Sequence, residues 1–497
     1  MGFSTLDYFV LLAYLAGITA FGMRFKKTHK SVRDYFVGAR NTHWIVICLS
    51  IVATETSTLT LIGVPALAYG HFARPEQGGT LTYLQVLIGY VAGRFIIARL
   101  FLPSYFRGEL LTAYALLERR FGSATRHVAA SLFLVMRALA EGVRVFAASL
   151  VLSAVLASSV PGIPHLWLWS IALVGVLTLI YTFEGGIAAV IWTDLIQFVN
   201  YIGGSLLAAY ELVQLTPHGW SGIVDAASAA GKLQVFSFST DPTLPFTFWA
   251  GVIGGTFLTN ASHGTDQLLV QRLLTCKDLR DSQKAIVTSG FIVLFQFVLF
   301  LGIGIMLFAY YQAVPPPAIT TNDEIFPRFI VTMLPHGVSG LVIAAIFAAA
   351  MSNLSGSLNS LASTTVIDFY QPLAAGRVPD ARLLALSRWC TAAWGLILII
   401  IAVVARGWGS VFTAGLTVAS IVYGPMLGAF VLGVATTRAT AAGVVAGMSV
   451  SAAFMIVIWA TTRLAWTWYV LVGCAICWAV GYGVSMTTTQ ARQPART

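Results

Sequence analysis

Charge is what this chain has least of. Only 10% of its 497 residues are charged against 58% hydrophobic, and the mean hydropathy is +0.82. No soluble globular protein of this size manages with so little charge. Cysteine is scarce too: Cys48, Cys276, Cys390, Cys474 and Cys477 lie mostly inside apolar runs, so no disulfide framework is implied. The Cys474-x-x-Cys477 pair has no second pair or histidine near it and reads as small apolar packing. No G-x-x-x-x-G-K-[ST] and no H-E-x-x-H occurs, which removes the sequence grounds for ATP-driven transport or zinc proteolysis. No linker or low-complexity tract divides residues 1–497, which read as a single domain.

What the chain has in abundance is long hydrophobic runs. Thirteen segments of about bilayer length can be drawn, at 6–25, 43–70, 79–105, 124–158, 164–183, 188–214, 245–273, 284–312, 328–368, 382–405, 409–434, 438–462 and 466–486. The chain is therefore expected to be an all-α polytopic membrane protein in contact with the lipid bilayer. Its net charge of +10 then reports topology and not affinity for nucleic acid. Arg24, Lys26, Lys27 and Lys30 follow the first run and no basic residue precedes it, which suits a retained first helix better than a signal peptide. With most Lys and Arg in alternate connections, the N-terminus is expected outside and the C-terminus in the cytoplasm. The long connections, Thr216–Leu244 and Pro315–Pro327, would then be external, and neither resembles a folded domain.

Two segments look interrupted. The second carries Ala53-Thr54-Glu55-Thr56-Ser57-Thr58, then Gly63 and Pro65; the seventh carries Gly254-Gly255, then Asn260 to Asp266. Ala53 lies ten residues into its segment, about 15 Å at helical rise and so near mid-membrane. Polar backbone at that depth is tolerated only inside protein or around a cavity. Breaks five segments apart suggest two five-helix repeats, 43–214 and 245–434, with an extra helix at 6–25 and two more at 438–486. Matching breaks in two halves are a pointer to a transporter binding site.

The ninth segment contains Ala349-Ala350-Met351-Ser352-Asn353-Leu354-Ser355-Gly356-Ser357-Leu358-Asn359-Ser360. At helical spacing Ala349, Ser352, Ser355, Gly356, Asn359 and Ser363 share one side. Small residues of this kind serve close helix packing; the same hydroxyl and carbonyl oxygens also suit a hard cation. Glu55, Arg137, Glu141, Arg144 and Asp194 stand in apolar runs, where each costs roughly 2.5–3.5 kcal/mol to insert, so pairing or function is expected of them. Arg137, Glu141 and Arg144 share a helix face, either as an internal ion pair or, with two cations to one anion, as a surplus positive charge for a solute. Ser57, Thr60, Gln85, Asn260 and His263 are further pocket candidates; for His263 a structural hydrogen bond is the competing reading.

The run Gly185-Gly186-Ile187-Ala188-Ala189-Val190-Ile191-Trp192-Thr193-Asp194-Leu195-Ile196-Gln197 resembles the sodium:solute symporter family. So do Asp34-Tyr35-Phe36-Val37-Gly38-Ala39-Arg40, Leu117-Glu118-Arg119-Arg120-Phe121-Gly122, and Gly264-Thr265-Asp266-Gln267 with Val270-Gln271-Arg272, so that the likeness spans about residues 30–435. It implies a LeuT-like inverted-repeat core and, as cofactor, a Na⁺ ion between the second and ninth helices, at positions matching Ala53, Thr56, Ala349, Ser352 and Asn353. Asn353 departs from the usual Ser or Thr. A second sodium, where members carry one, would fall on Asp194, Ser352 and Ser355, with Gly356 lacking the third hydroxyl. In some members an acidic residue near Glu55 matters for sodium, and an arginine near Arg144 meets a substrate carboxylate. The expectation is inward symport of one Na⁺ with a small organic solute, an organic acid or amino acid, across the plasma membrane, without covalent chemistry or an obligate protein partner. Proton coupling through Glu55 or Asp194 is an alternative. So is a solute sensor, against which the lack of an appended output domain speaks.

Overall fold

The computed structural model describes residues 3–23, 42–70, 79–107, 113–159, 163–315, 322–374, 379–408 and 411–488. Among them the chain is helical throughout, with no strand beyond an isolated bridge between Thr42 and Cys276. Among the described residues eight helices are long and apolar enough to cross a bilayer, and a ninth span is the pair Trp44–Glu55 (α2) and Thr58–Tyr69 (α3), bent by 60° at the join. The N-terminal helix Thr5–Met23 (α1) and the last two, Ala441–Thr461 and Tyr469–Thr487, fall close to the expected bounds. The fifth and sixth expected segments form one helical run, Leu166–Leu215. Both ends of that run lie on the same face of the bundle. Trp167 packs 4.5 Å beneath Arg406, and the chain past Leu215 delivers Lys232 to the carbonyls of Tyr69 and Gly79 at 3.0 and 3.1 Å. The run therefore accounts for two crossings.

The two interrupted spans run in opposite directions. The second starts at the Thr42 face, and the seventh ends there, at the bridge to Cys276. This antiparallel pairing is what an inverted repeat requires. The seventh span is built from a π-helical turn Ala250–Gly254, then Gly255–Gly264 (α4) and Gln267–Leu273 (α5). Its break is at Thr265–Asp266, where Asp266 caps α5 by accepting the Leu268 N–H at 2.9 Å. Gly254-Gly255, expected to mark an interruption, instead permit close packing. A Cβ on Gly255 would stand 2.5 Å from the Val86 carbonyl, and one on Gly254 2.3 Å from the Thr467 carbonyl. The helix that carries the small-residue stripe, Val338–Ser363 (α6), belongs to the most deeply buried of these spans and packs along both Leu166–Leu215 and α2.

On the Gly70 face a short turn, Asn322–Glu324, ties the outer half of the broken helix to Val411–Ala435 (α7). Asn322 donates to the Gly70 carbonyl, and Asp323 accepts the Val411 N–H at 3.3 Å. The connection Thr216–Leu244 on this face holds a helix, Gly219–Ala229, which its length and polarity did not announce. Burial raises the Asp323 carboxyl to about 6, because the ion loses hydration that the single Val411 N–H only partly replaces, and the neighbouring Glu324 charge adds to the rise. The folded state thus favours neutral Asp323, and the stability it contributes is complete below pH 3.8 and is lost as pH rises through about 6. Asp323→Asn should raise the stability at pH 8 by roughly 2–3 kcal/mol and leave it almost unchanged at pH 4. Thermal unfolding across this range checks the sign; a variant no more stable than its parent at pH 8 would contradict it.

A broken helix beside a charged cavity

The helical ladder of α2 ends when the Thr56 N–H reaches the Val52 carbonyl at 3.0 Å, and Ser57 is extended. Carbonyls of the last turn are left without helical partners and carry the negative end of the helix dipole. One of them, Thr54, accepts from the Asn353 amide on α6. The Asn353 oxygen in turn accepts from Arg144 at 3.1 Å. Turning this amide over would set oxygen against carbonyl and NH₂ against guanidinium, so its two partners fix its orientation. The Thr56 hydroxyl donates to Val52 and accepts from Gln296, so that oxygen is already engaged at the break. These observations fit a cation: oxygens at a helix C-terminus, without a carboxylate directly on them, next to a second helix.

Beside the break is a cavity of about 110 Å³ whose polar wall includes Glu55, Ser57, Thr60, Arg137, Arg144 and His263. Glu55, Glu141 and Asp266 near it are each matched by a guanidinium. Glu55 pairs with Arg94 and lies 3.3 Å from His263. Arg137 joins Glu141 at 3.1 Å and also Asp266, to which Tyr423 donates at 2.6 Å. Arg144 pairs with the same Glu141 oxygen. The face read as two cations to one anion is therefore balanced by Asp266, and no surplus charge remains. Arg94 and Arg137 are sealed, at 0% and 3% side-chain exposure, whereas Arg144 keeps 25%. The Arg144 Nε–H has no acceptor.

The sequence model of the sodium:solute symporter family matches residues 35–451. The chain belongs to that family. It is a transporter and not an enzyme, and sodium is the ion coupled to its solute. Among relatives, the sodium/sialic acid symporter NanT of Aliivibrio fischeri is 31% identical, covering 97% of this chain and 93% of the relative. The sodium-coupled monocarboxylate transporter 2 of Mus musculus is 29% identical over 87% of this chain and 68% of its own. A solved Na⁺-coupled sialic acid symporter in a substrate-bound outward-open state superposes with a TM-score of 0.85 at 28% identity, covering 99% of both chains. A nucleobase-cation-symport-1 transporter at 12% identity and a TM-score of 0.59 shares the fold.

In this symporter the expected residues divide. Ser57, Thr60, Arg144, His263 and Glu55 line the cavity, whereas Gln85 and Asn260 do not. Gln85 spends its amide on the carbonyls of Thr82 and Phe246 and on the Ser237 N–H, tying a helix to a connection. Asn260 donates to Thr256 one turn back. Ala53, Thr56, Ala349 and Asn353 stand where α2 and α6 meet, but the Ser352 side chain lies outside the described ones. Asp194 accepts from Ser50 at 2.6 Å and pairs with Arg272 at 3.1 Å. Gly356 gives that guanidinium room, since a Cβ there would stand 2.7 Å from Arg272 Nη2. Sequence reasoning passed over Arg94, Arg272, Tyr83, Tyr90 and Tyr423. Arg94 carried a usable signal, an arginine inside the apolar run 79–105.

Removing one partner of a sealed ion pair leaves the other buried without a counter-charge. Arg94→Met should destabilise the protein by roughly 3–5 kcal/mol, and Arg94→Met with Glu55→Met should recover much of that. Unfolding in mixed micelles reads both; a double variant no more stable than the single one would show that the pair is not the unit.

Proposed function

We propose that this symporter takes up a small organic carboxylate together with one sodium ion. The supporting observation is Arg144, the guanidinium of the cavity wall that keeps 25% side-chain exposure, against 3% for Arg137. A solute carboxylate would meet the exposed part of that guanidinium in a charge-assisted bond. The names of the relatives, a sialic acid symporter and monocarboxylate transporters, point to the same solute class. Sodium would sit between the carbonyls of Ala53 and Thr56 and the oxygens of Ala349, Ser352 and Asn353, the last using the lone pair that Arg144 leaves. Bound there, it would draw the end of α2 onto α6 and favour the outward-facing state, and Arg144, sharing Asn353, would couple the solute to the ion.

One sodium is favoured because Arg272 already stands against Asp194, supplying a fixed positive charge where a second ion would go. Proton coupling through Glu55 or Asp194 is disfavoured for a like reason, since each carboxylate has its own guanidinium. The repeats are taken as 43–214 and 245–434 in a thirteen-helix chain of the plasma membrane, N-terminus outside and C-terminus cytoplasmic. The Thr42 face then carries Arg99, Arg107, Arg119, Arg120, Lys277, Arg280 and Lys284, as the positive-inside rule asks.

One sodium and one monoanion move no net charge. Accumulation would then follow the sodium ratio, each tenfold giving about 1.4 kcal/mol and about tenfold in solute. Labelled sialic acid and labelled pyruvate, offered to proteoliposomes under voltage clamp, test both statements. Sodium-dependent uptake should proceed without current, and Arg144→Gln should raise the KM by roughly ten- to a hundredfold. Current amounting to one charge per solute, lost in Asp194→Asn, would establish a second sodium. Uptake of glucose unaffected by Arg144→Gln would remove the carboxylate reading.

A further inference from the structure

We propose that a cleft on the Thr42 face, apart from the transport cavity, binds the phosphate headgroup of an anionic phospholipid. The cleft has a volume of about 630 Å³ and lies between the end of the third span, the helix Tyr114–Phe121 and the end of α7. Its wall carries Arg99, Arg107, Arg119 and Arg120, and no carboxylate among the described residues. All four arginines are exposed. Arg120 is committed: it donates to the carbonyls of Gly433 and Thr436, closing the C-terminus of α7, and lies 5.2 Å over the Phe121 ring. Arg99, Arg107 and Arg119 have no ion-pair or hydrogen-bond partner among the described residues, unlike the arginines buried around the transport cavity. The neighbouring Glu118 is engaged with Arg126, which also holds Asp368 at 2.6 Å. Glu109 falls in 108–112, outside the described residues.

Three guanidiniums without a partner among the described residues stand around one concavity; they repel each other and would be relieved by an anion shared between them. The setting selects a lipid over a soluble anion. A π-helical turn at Ile97–Phe101 carries Arg99 and Leu100 side by side at the outer surface, where Leu100 is 39% exposed. The helix leading into it shows Phe95 and Ile96 to the bilayer, so lipid-facing surface runs directly into the basic cleft. Inside, Pro103, Leu116 and Phe430 offer apolar contact to a glycerol backbone and the first methylenes of an acyl chain. Basic pockets between spans at a membrane interface are suited to such headgroups, each arginine adding to the attraction. The inward leaflet, which this face meets in the orientation proposed above, is the one that carries anionic lipid.

The test uses the purified full chain with three probes: phosphatidylcholine vesicles, vesicles of equal parts phosphatidylcholine and phosphatidylglycerol, and inorganic phosphate. Native mass spectrometry reads retained lipid, and thermal unfolding reads stabilisation. The parent should retain phosphatidylglycerol in preference to phosphatidylcholine. The triple variant Arg99→Gln, Arg107→Gln, Arg119→Gln should weaken that preference on the order of a hundredfold. A control on the same face, Lys277→Gln, Arg280→Gln, Lys284→Gln, should leave it intact. If the triple variant does not fold, Arg107→Gln alone should show about a fivefold loss. Equal retention by triple variant and control would overturn the proposal. So would inorganic phosphate stabilising the parent as much as phosphatidylglycerol does, which would make the cleft a site for soluble anions.

Discussion

Backbone carbonyls at the centre of a membrane span must find partners within the protein, and the join between α2 and α3 sets that requirement for everything around it. The 60° bend releases the last carbonyls of α2 from the helical ladder. Asn353 answers one of them from α6, and Gln296 fixes the Thr56 hydroxyl. The same bend opens the cavity that Glu55, Ser57 and Thr60 line. The proposed ion site and the proposed solute site would thus both follow from one interruption, and Asn353 is bonded to both Thr54 and Arg144.

The second governing feature is charge balance. Glu55 with Arg94, Asp266 with Arg137, and Asp194 with Arg272 each join two different helices, and each pair is sealed from water on at least one side. A bundle stapled this way keeps its parts in register while leaving little freedom at the staples. Freedom is concentrated at Arg144, which shares Glu141 with Arg137 and still has exposed surface. In the proposed reading a solute held by Arg144 would act on the Asn353 amide and, through it, on the end of α2.

Much of this was legible in the residues because it is local. The apolar runs marked the spans, and Thr56-Ser57 in mid-run marked the break, since polar residues at that depth have few other uses. The pairs were not legible, because their partners lie 39, 78 and 129 residues apart in the chain. Hence Arg137, Glu141 and Arg144 allowed both an internal ion pair and a positive surplus until Asp266 was placed among them. The missing hydroxyl at Gly356 was visible, but the arginine that needs the space was not. Gly254 and Gly255 misled for a related reason: a glycine pair marks either a break or a close approach, and only the facing carbonyls of Val86 and Thr467 distinguish them. Gln85 likewise read as a pocket residue because nothing local announces the connection it holds.

In the reading proposed above, sodium binds between the end of the broken helix and α6, and equilibrium binding of radioactive sodium to the purified protein, without solute, measures this. Saturable binding of one ion per chain is expected, abolished by Ser352→Ala and retained in Leu358→Ala, because only the former removes an oxygen from the proposed site. Undiminished binding in Ser352→Ala would rule that site out.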